Sequence, residues 1–444
     1  MFRFLALIGC LTLLITAPAH ARTEGGDLLW QDQFDLAAGR DGATSVAADN
    51  SRVVALGFAQ NSAGFFDLTV RAYDAQTGAL LWKDRVDLPN GNMSAEAVVM
   101  EGQRVLVSGN SVDATGHNEA IVRAYVARTG VLAWEDRWSG VARGLAVLGN
   151  RVVVGGRIVD AGVSHSLVRA YAANDGGVMW EDRPLPPPGS TDESGFGVTL
   201  HGKKAFVTAG VVLAPSSPEG ATACSVRAYD LTDGDLLWQS LHVIGGRCAP
   251  TGIATDGRAV VLSAAGGPGG DEFDAISFDA RTGAFLWHDR SSGTPFFQLA
   301  MSVDVEHHVA FVIGWIITEV PPPQTRFQES LLVKAYDTTS GELRWEDRFL
   351  LPEGCFCHGF DVVADKGRVF AFGKTAFRVA ETWLVRAYDA KSGDLLWHDE
   401  FLPAAGASTG FGAIAADGGR VFVASSAWSV SGNTDFVVRA YDAK

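Results

Sequence analysis

One stretch, Val70 to Trp82 (VRAYDAQTGALLW), returns along the whole chain, and the rest of the sequence spaces its copies. Aligned on the final residue, eight copies end at Trp30, Trp82, Trp134, Trp180, Trp238, Trp287, Trp345 and Trp397, in steps of 52, 52, 46, 58, 49, 58 and 52 residues. A period near fifty excludes one large irregular domain and points to a repeat architecture. All seven tyrosines (Tyr73, Tyr125, Tyr171, Tyr229, Tyr336, Tyr388 and Tyr441) occupy one position of the unit, and Phe278 fills it in the remaining copy.

The stretch reads as a β-hairpin. Val70 to Tyr73 and Leu80 to Arg85 are runs of branched, aromatic and aliphatic residues around Asp74-Ala-Gln-Thr-Gly78, a turn-forming segment. Before each hairpin come two further apolar runs joined by a tight turn, such as Ala95 to Met100, Glu101-Gly-Gln-Arg104 and Val105 to Ser108. No segment after the first 21 residues has a convincing helical period, so the expected class is all-β with four antiparallel strands per unit. The ends complement one another: Gly26 to Trp30 is the second half of a hairpin, and Val438 to Asp442 is the first half. Joined, they complete a ring, which leads to an eight-bladed β-propeller closed by its N- and C-terminal strands.

Met1 to Ala21 has the features of a signal peptide: Arg3, an apolar stretch from Phe4 to Thr16, and a small-x-small site at Ala19-His-Ala21. Residues 22–444 are then a single propeller domain. A rival lipobox reading, with a lipid anchor at Cys10, leaves only nine residues before that cysteine, too few for a usual signal. Later apolar runs fall short of the ~18 residues of a membrane span. Without the leader, 35 Lys and Arg face 51 Asp and Glu, a net charge of −16. That surface repels phosphate backbones and argues against nucleic-acid binding.

The pattern Ala72-x-Asp74-x-x-x-Gly78-x-x-x-Trp82 resembles the tryptophan-docking motif of the pyrroloquinoline-quinone (PQQ) repeat family. That family includes quinoprotein dehydrogenases and the propeller lipoprotein of the outer-membrane β-barrel assembly machinery. The resemblance implies that each of the eight tryptophans docks on the next blade. Burying one removes ~150–250 Å² from water, roughly 4–6 kcal/mol as an upper bound. The Asp-Arg pairs that follow several tryptophans, such as Asp84-Arg85 and Asp136-Arg137, are worth ~0–1 kcal/mol each if exposed. On this reckoning the tryptophans hold the blades together and the charges decorate them.

Four cysteines follow the leader. In an exported chain disulfides are expected. Of the three possible pairings, Cys224 with Cys248 is preferred, because both fall near one end of one blade. Cys355 and Cys357 could close a small ring or stay reduced. With His358 they make Cys355-x-Cys357-His358, two soft sulfurs and an imidazole able to hold copper or zinc, although a closed zinc site wants a fourth ligand. Glu193, Arg143, Gln298 and His358 stand near the starts of inner strands and could reach a channel, and Trp138 could stack on a ring. The dehydrogenase resemblance would imply PQQ with calcium, an adjacent Cys-Cys pair, a Glu and an Asn for the metal, and an aspartate base. No Cys-Cys pair occurs and the candidates do not match that set. No catalytic residue is therefore assigned.

Longer connections at Pro184 to Ser190, Ala214 to Gly220, Gly266 to Gly270 and Val320 to Arg326 fall in the two loop classes that share one face of a propeller. One elaborated face suggests binding. The expectation is an exported, soluble, monomeric, non-catalytic module, periplasmic or extracellular, that binds a protein or envelope component. The alternative is a PQQ-dependent oxidoreductase.

Overall fold

In six copies the turn is organised by its leading aspartate and its glycine, while Val126 and Ala172 take the aspartate's place in the other two. Asp74 accepts hydrogen bonds from the amides of Gln76 and Thr77 and from the Thr77 hydroxyl. Gly78 adopts φ +71°, a left-handed conformation that a side chain disfavours. It also carries the preceding copy's tryptophan, since a Cβ at Gly78 would lie 2.6 Å from the Trp30 ring. Gly130, Gly176, Gly234, Gly283, Gly341 and Gly393 receive Trp82, Trp134, Trp180, Trp238, Trp287 and Trp345 in the same way, and Gly26 receives Trp397. The indole N–H completes the dock: Trp82 donates to Ala127 O at 2.8 Å, Trp134 to Ala173 O at 2.9 Å and Trp287 to Thr338 O at 2.9 Å.

The computed structural model describes residues 25–444 except 36–38, 88–90, 161–162, 186–189, 214–221, 268–271, 291–294, 321–325, 351–354, 378–379, 404–411 and 429–432. Among the described residues there is no helix. The strands form four four-stranded and two seven-stranded sheets, and the strand pairs within them are antiparallel. Each seven-stranded sheet turns on one long strand, Leu132–Leu148 or Leu236–Thr255, which ends one group of four and begins the next. These continuous strands lie in the two shortest repeats, of 46 and 49 residues, where few residues remain for a connection.

Leu28–Phe34 pairs with Thr434–Asp442, placing Trp30 opposite Ala440. The broken hairpin keeps the bonds of the intact ones: Gly26 N–H donates to Asp442 O (3.0 Å) as Gly78 does to Asp74 O (2.9 Å). The first strand of each group lies against those of its neighbours, and Gly412–Asp417 lies against Asp41–Ala48. Apart from the two continuous strands these are sheet edges, and polar side chains satisfy some of their exposed amides. Ser45 Oγ accepts from Val98 N–H, Asp304 from Ala364 N–H, and Asp361 from Ile414 N–H and the Ser302 hydroxyl. Burial raises both aspartates, Asp304 to about 6.

The aspartate two residues after seven of the eight docking tryptophans does more than decorate. The seven tyrosine hydroxyls donate to Asp32, Asp84, Asp136, Asp182, Asp289, Asp347 and Asp399 of the preceding repeat, at 2.5–3.0 Å. A basic side chain two residues before the tyrosine joins most of these pairs, as Arg71 does with Asp32 (3.2 Å) and Lys334 with Asp289 (3.1 Å). An aromatic ring covers several of the guanidiniums: Phe34 lies over Arg71 and Phe401 over Arg439, each at 4.0 Å. The aspartates are half-buried and shared between repeats, so the value for an exposed ion pair understates them. A hydrogen bond to a charged acceptor is worth ~1.5–3 kcal/mol.

One junction lacks this arrangement. Ser240 stands for the aspartate, Phe278 for the tyrosine and Ile276 for the basic residue. Beside them Cys224 and Cys248 form a disulfide with a Cα–Cα distance of 5.4 Å, the pairing preferred from the sequence.

Candidate functional site

Chemistry-bearing side chains gather where first strands begin and second strands end. The longest hairpin there, Val309–Val320 with Arg326–Asp337, stays paired out to Val320 and Arg326. Its stem carries Trp315 and Glu329 beside Cys357 and His358 of the next first strand, Cys355–Asp365.

Strand alternation puts Cys357 and His358 of the Cys355-x-Cys357-His358 motif on opposite faces. Cys357 packs among Ile313, Leu331, Val362 and Leu384. The His358 ring is half-exposed and lies 4.5 Å from the Trp315 ring, with Phe360 edge-on at 6.1 Å. The Cys355 side chain lies outside the described residues. Glu329 is buried; it accepts from Cys357 N–H at 3.0 Å, and its Oε2 is 3.6 Å from His358 Nε2. Burial pushes Glu329 up and His358 down, so both are biased towards their uncharged forms. The result is an aromatic ledge beside one buried acid.

The other channel candidates are tied into the structure. Arg227 reaches both oxygens of buried Glu193 (2.6 and 3.1 Å), and Ser166 donates to Oε2 at 2.9 Å. Arg143 donates to Glu96 at 3.0 Å, and Asn110 to the other Glu96 oxygen at 2.8 Å. Gln298 is buried. Trp138 donates to Arg157 O at 2.9 Å and lies under the Arg169 guanidinium at 5.0 Å, which makes it part of a blade junction. The eight docking tryptophans line the joints between repeats, away from this end. Among the described residues no group of three or more His, Cys, Asp and Glu is placed to hold a metal ion. No helix there is long and apolar enough to cross a membrane. The longer connections lie wholly or partly outside the described residues: 186–189, 214–221, 268–271 and 321–325.

The profile of a family described as outer membrane protein assembly factor BamB matches residues 20–165, 164–295 and 328–444. The chain belongs to this PQQ-like repeat family. No curated protein sequence matches it significantly. Among solved structures it is similar to a quinohemoprotein alcohol dehydrogenase of Pseudomonas putida HK5, at 17% identity and TM-score 0.54, covering 94% of this chain and 76% of that one. The quinohemoprotein alcohol dehydrogenase of Comamonas testosteroni is similar at 12% identity and TM-score 0.56, with the same coverage. BamB of Moraxella catarrhalis aligns at 13% identity and TM-score 0.49, over 94% of this chain and 99% of that one. At these identities the likeness to the two dehydrogenases establishes the β-propeller fold alone.

Proposed function

We propose that residues 22–444 form a single, exported, non-catalytic eight-bladed propeller that binds a protein or envelope component through its loop-bearing end. The observation that carries this reading is the assembly-factor profile, which matches three stretches spanning most of the chain. Eight blades follow if each seven-stranded sheet is counted as two blades sharing a strand. The pairing of Leu28–Phe34 with Thr434–Asp442 then supplies the closure. Residues 1–21 are read as a leader and the working compartment as periplasmic or extracellular, with a soluble monomer as the acting form.

The loop-bearing end supports a binding role. Its longest hairpin and the His358–Trp315–Phe360 ledge lie there together, as binding elements on a rigid scaffold do. The dehydrogenase alternative finds less support. A calcium-held quinone needs an open glutamate at the channel, whereas Glu193 is taken up by Arg227 and Ser166, and adjacent cysteines are missing from the sequence.

Cross-linking from photoreactive residues at Gln328 and His358, in whole envelopes, tests the scaffold reading. A single discrete partner captured from both positions, and not from Lys83 on an outer strand, is expected. Equal capture from all three positions would defeat it. Titration with PQQ and calcium, followed by tryptophan fluorescence and dye reduction, tests the alternative. Saturable quenching with turnover would replace the scaffold reading by the enzymatic one.

A further inference from the structure

At the junction that lacks the Asp–Tyr–Arg arrangement, two imidazoles meet instead. His242 Nε2 lies 3.4 Å from His288 Nδ1, and His288 Nε2 lies 2.5 Å from Oδ1 of Asp274. Asp274 is fully buried, while both rings are partly exposed to solvent. We propose that His242 and His288 form a two-histidine site for a divalent transition-metal ion, copper(II) or zinc(II), with water completing the coordination shell.

The argument is geometric. Two imidazole nitrogens each ~2.0–2.1 Å from one tetrahedral ion stand about 3.3 Å apart, close to the separation already present. Asp274 supplies the support that metal-bound histidines ordinarily have. By accepting the Nε2 proton of His288 it leaves the Nδ1 lone pair free to face His242. Imidazole donors suit copper, zinc and nickel, and disfavour calcium and magnesium.

The frame is also rigid. His242 sits directly opposite Cys224 in the strand pair, and the disulfide from Cys224 returns to Cys248 further along the same long strand, Leu236–Thr255. The His242 ring is stacked on Phe285 at 4.6 Å and 7°. Arg290 is shared between Glu272 at 2.7 Å, Ile244 O and, at 3.6 Å, the Asp274 oxygen that accepts from His288. Because His242 belongs to one repeat and His288 to the next, a bound ion would link two blades at the place where the tyrosine–aspartate bond is missing.

The test uses the untagged chain, stripped with a chelator, and isothermal titration with copper(II) and, separately, zinc(II). One equivalent is expected to bind. His242→Gln and His288→Gln should each weaken binding at least ~10-fold, and the double variant should weaken it further. Asp274→Asn should weaken it less, within the ~10–100-fold span of second-shell changes, and His307→Gln should leave it unaltered. Pulsed electron paramagnetic resonance of the copper(II)-loaded wild-type chain should show two imidazole nitrogens, a readout that needs no variant to fold. Failure to bind one equivalent, binding unchanged in the double variant, or fewer than two imidazole nitrogens would each overturn the proposal.

Discussion

Seven junctions between repeats and the one at Trp238 solve the same packing problem in different ways. At the seven, a tryptophan dock is backed by a tyrosine hydroxyl on a half-buried aspartate of the repeat before it. At the eighth, Trp238 is less buried and its indole bond to Ala280 O is longer, at 3.4 Å, while a disulfide and a histidine pair stand close by. The polar members changed together: Ser240, Ile276 and Phe278 replace all three. That follows from the cost of leaving a tyrosine hydroxyl or a carboxylate without its partner in a half-buried seam.

The comparison can be broken or sharpened by experiment. Deleting Val438 to Lys444 should have the largest effect, since it removes most of the strand that pairs with Leu28–Phe34. Loss of a cooperative melting transition is expected, and an unchanged curve would refute closure. Trp134→Ala should cost ~3–5 kcal/mol in urea denaturation, with Trp238→Ala costing less because more of that ring already meets solvent. Removing the disulfide with Cys224→Ser and Cys248→Ser together should cost ~2–4 kcal/mol and would make the exceptional junction the first to open in hydrogen exchange. Tyr171→Phe should cost ~1–2 kcal/mol, whereas Phe278→Tyr should gain nothing, because Ser240 offers no carboxylate.

A further effect concerns pH. Burial, and then the neighbouring His288, lower His242 from 6.5 to about 4, against a partly opposing pull from Asp274. A base whose folded pKa is depressed stabilises the fold above its unfolded value, and that contribution is lost as pH falls from about 6.5 towards 4. His242→Phe should flatten the wild-type stability curve in that window, and identical slopes would rule the effect out. Asp304 acts in the opposite sense: raised to about 6, its contribution is present in acid and fades as pH rises through that value.

Much of the fold was legible in the sequence, because the repeat places a turn, a glycine and a tryptophan at fixed spacing. The preferred Cys224–Cys248 pairing was legible for the same reason, both cysteines flanking one hairpin. The tyrosine–aspartate bonds were harder to see, since each links residues about forty positions apart in different repeats. A signal did exist: the single repeat without tyrosine follows the single docking tryptophan without an aspartate two residues later. The two continuous strands also left a trace, in the short steps of 46 and 49 residues. The His358–Trp315–Glu329 grouping left none, because it depends on which strand faces lie together across a blade joint.

The pairing of Leu28–Phe34 with Thr434–Asp442 has a consequence for how the protein is made. Trp30 and Ala440 are neighbours in space but 410 positions apart in the chain. Synthesis delivers the first of these strands long before its partner exists, so its sheet edge is exposed while the intervening repeats assemble. Contacts of such high sequence separation form slowly, and a waiting edge invites association with other chains. A holdase that covers the nascent strand Leu28–Phe34 would therefore raise the yield of folded protein more than one acting on any internal hairpin.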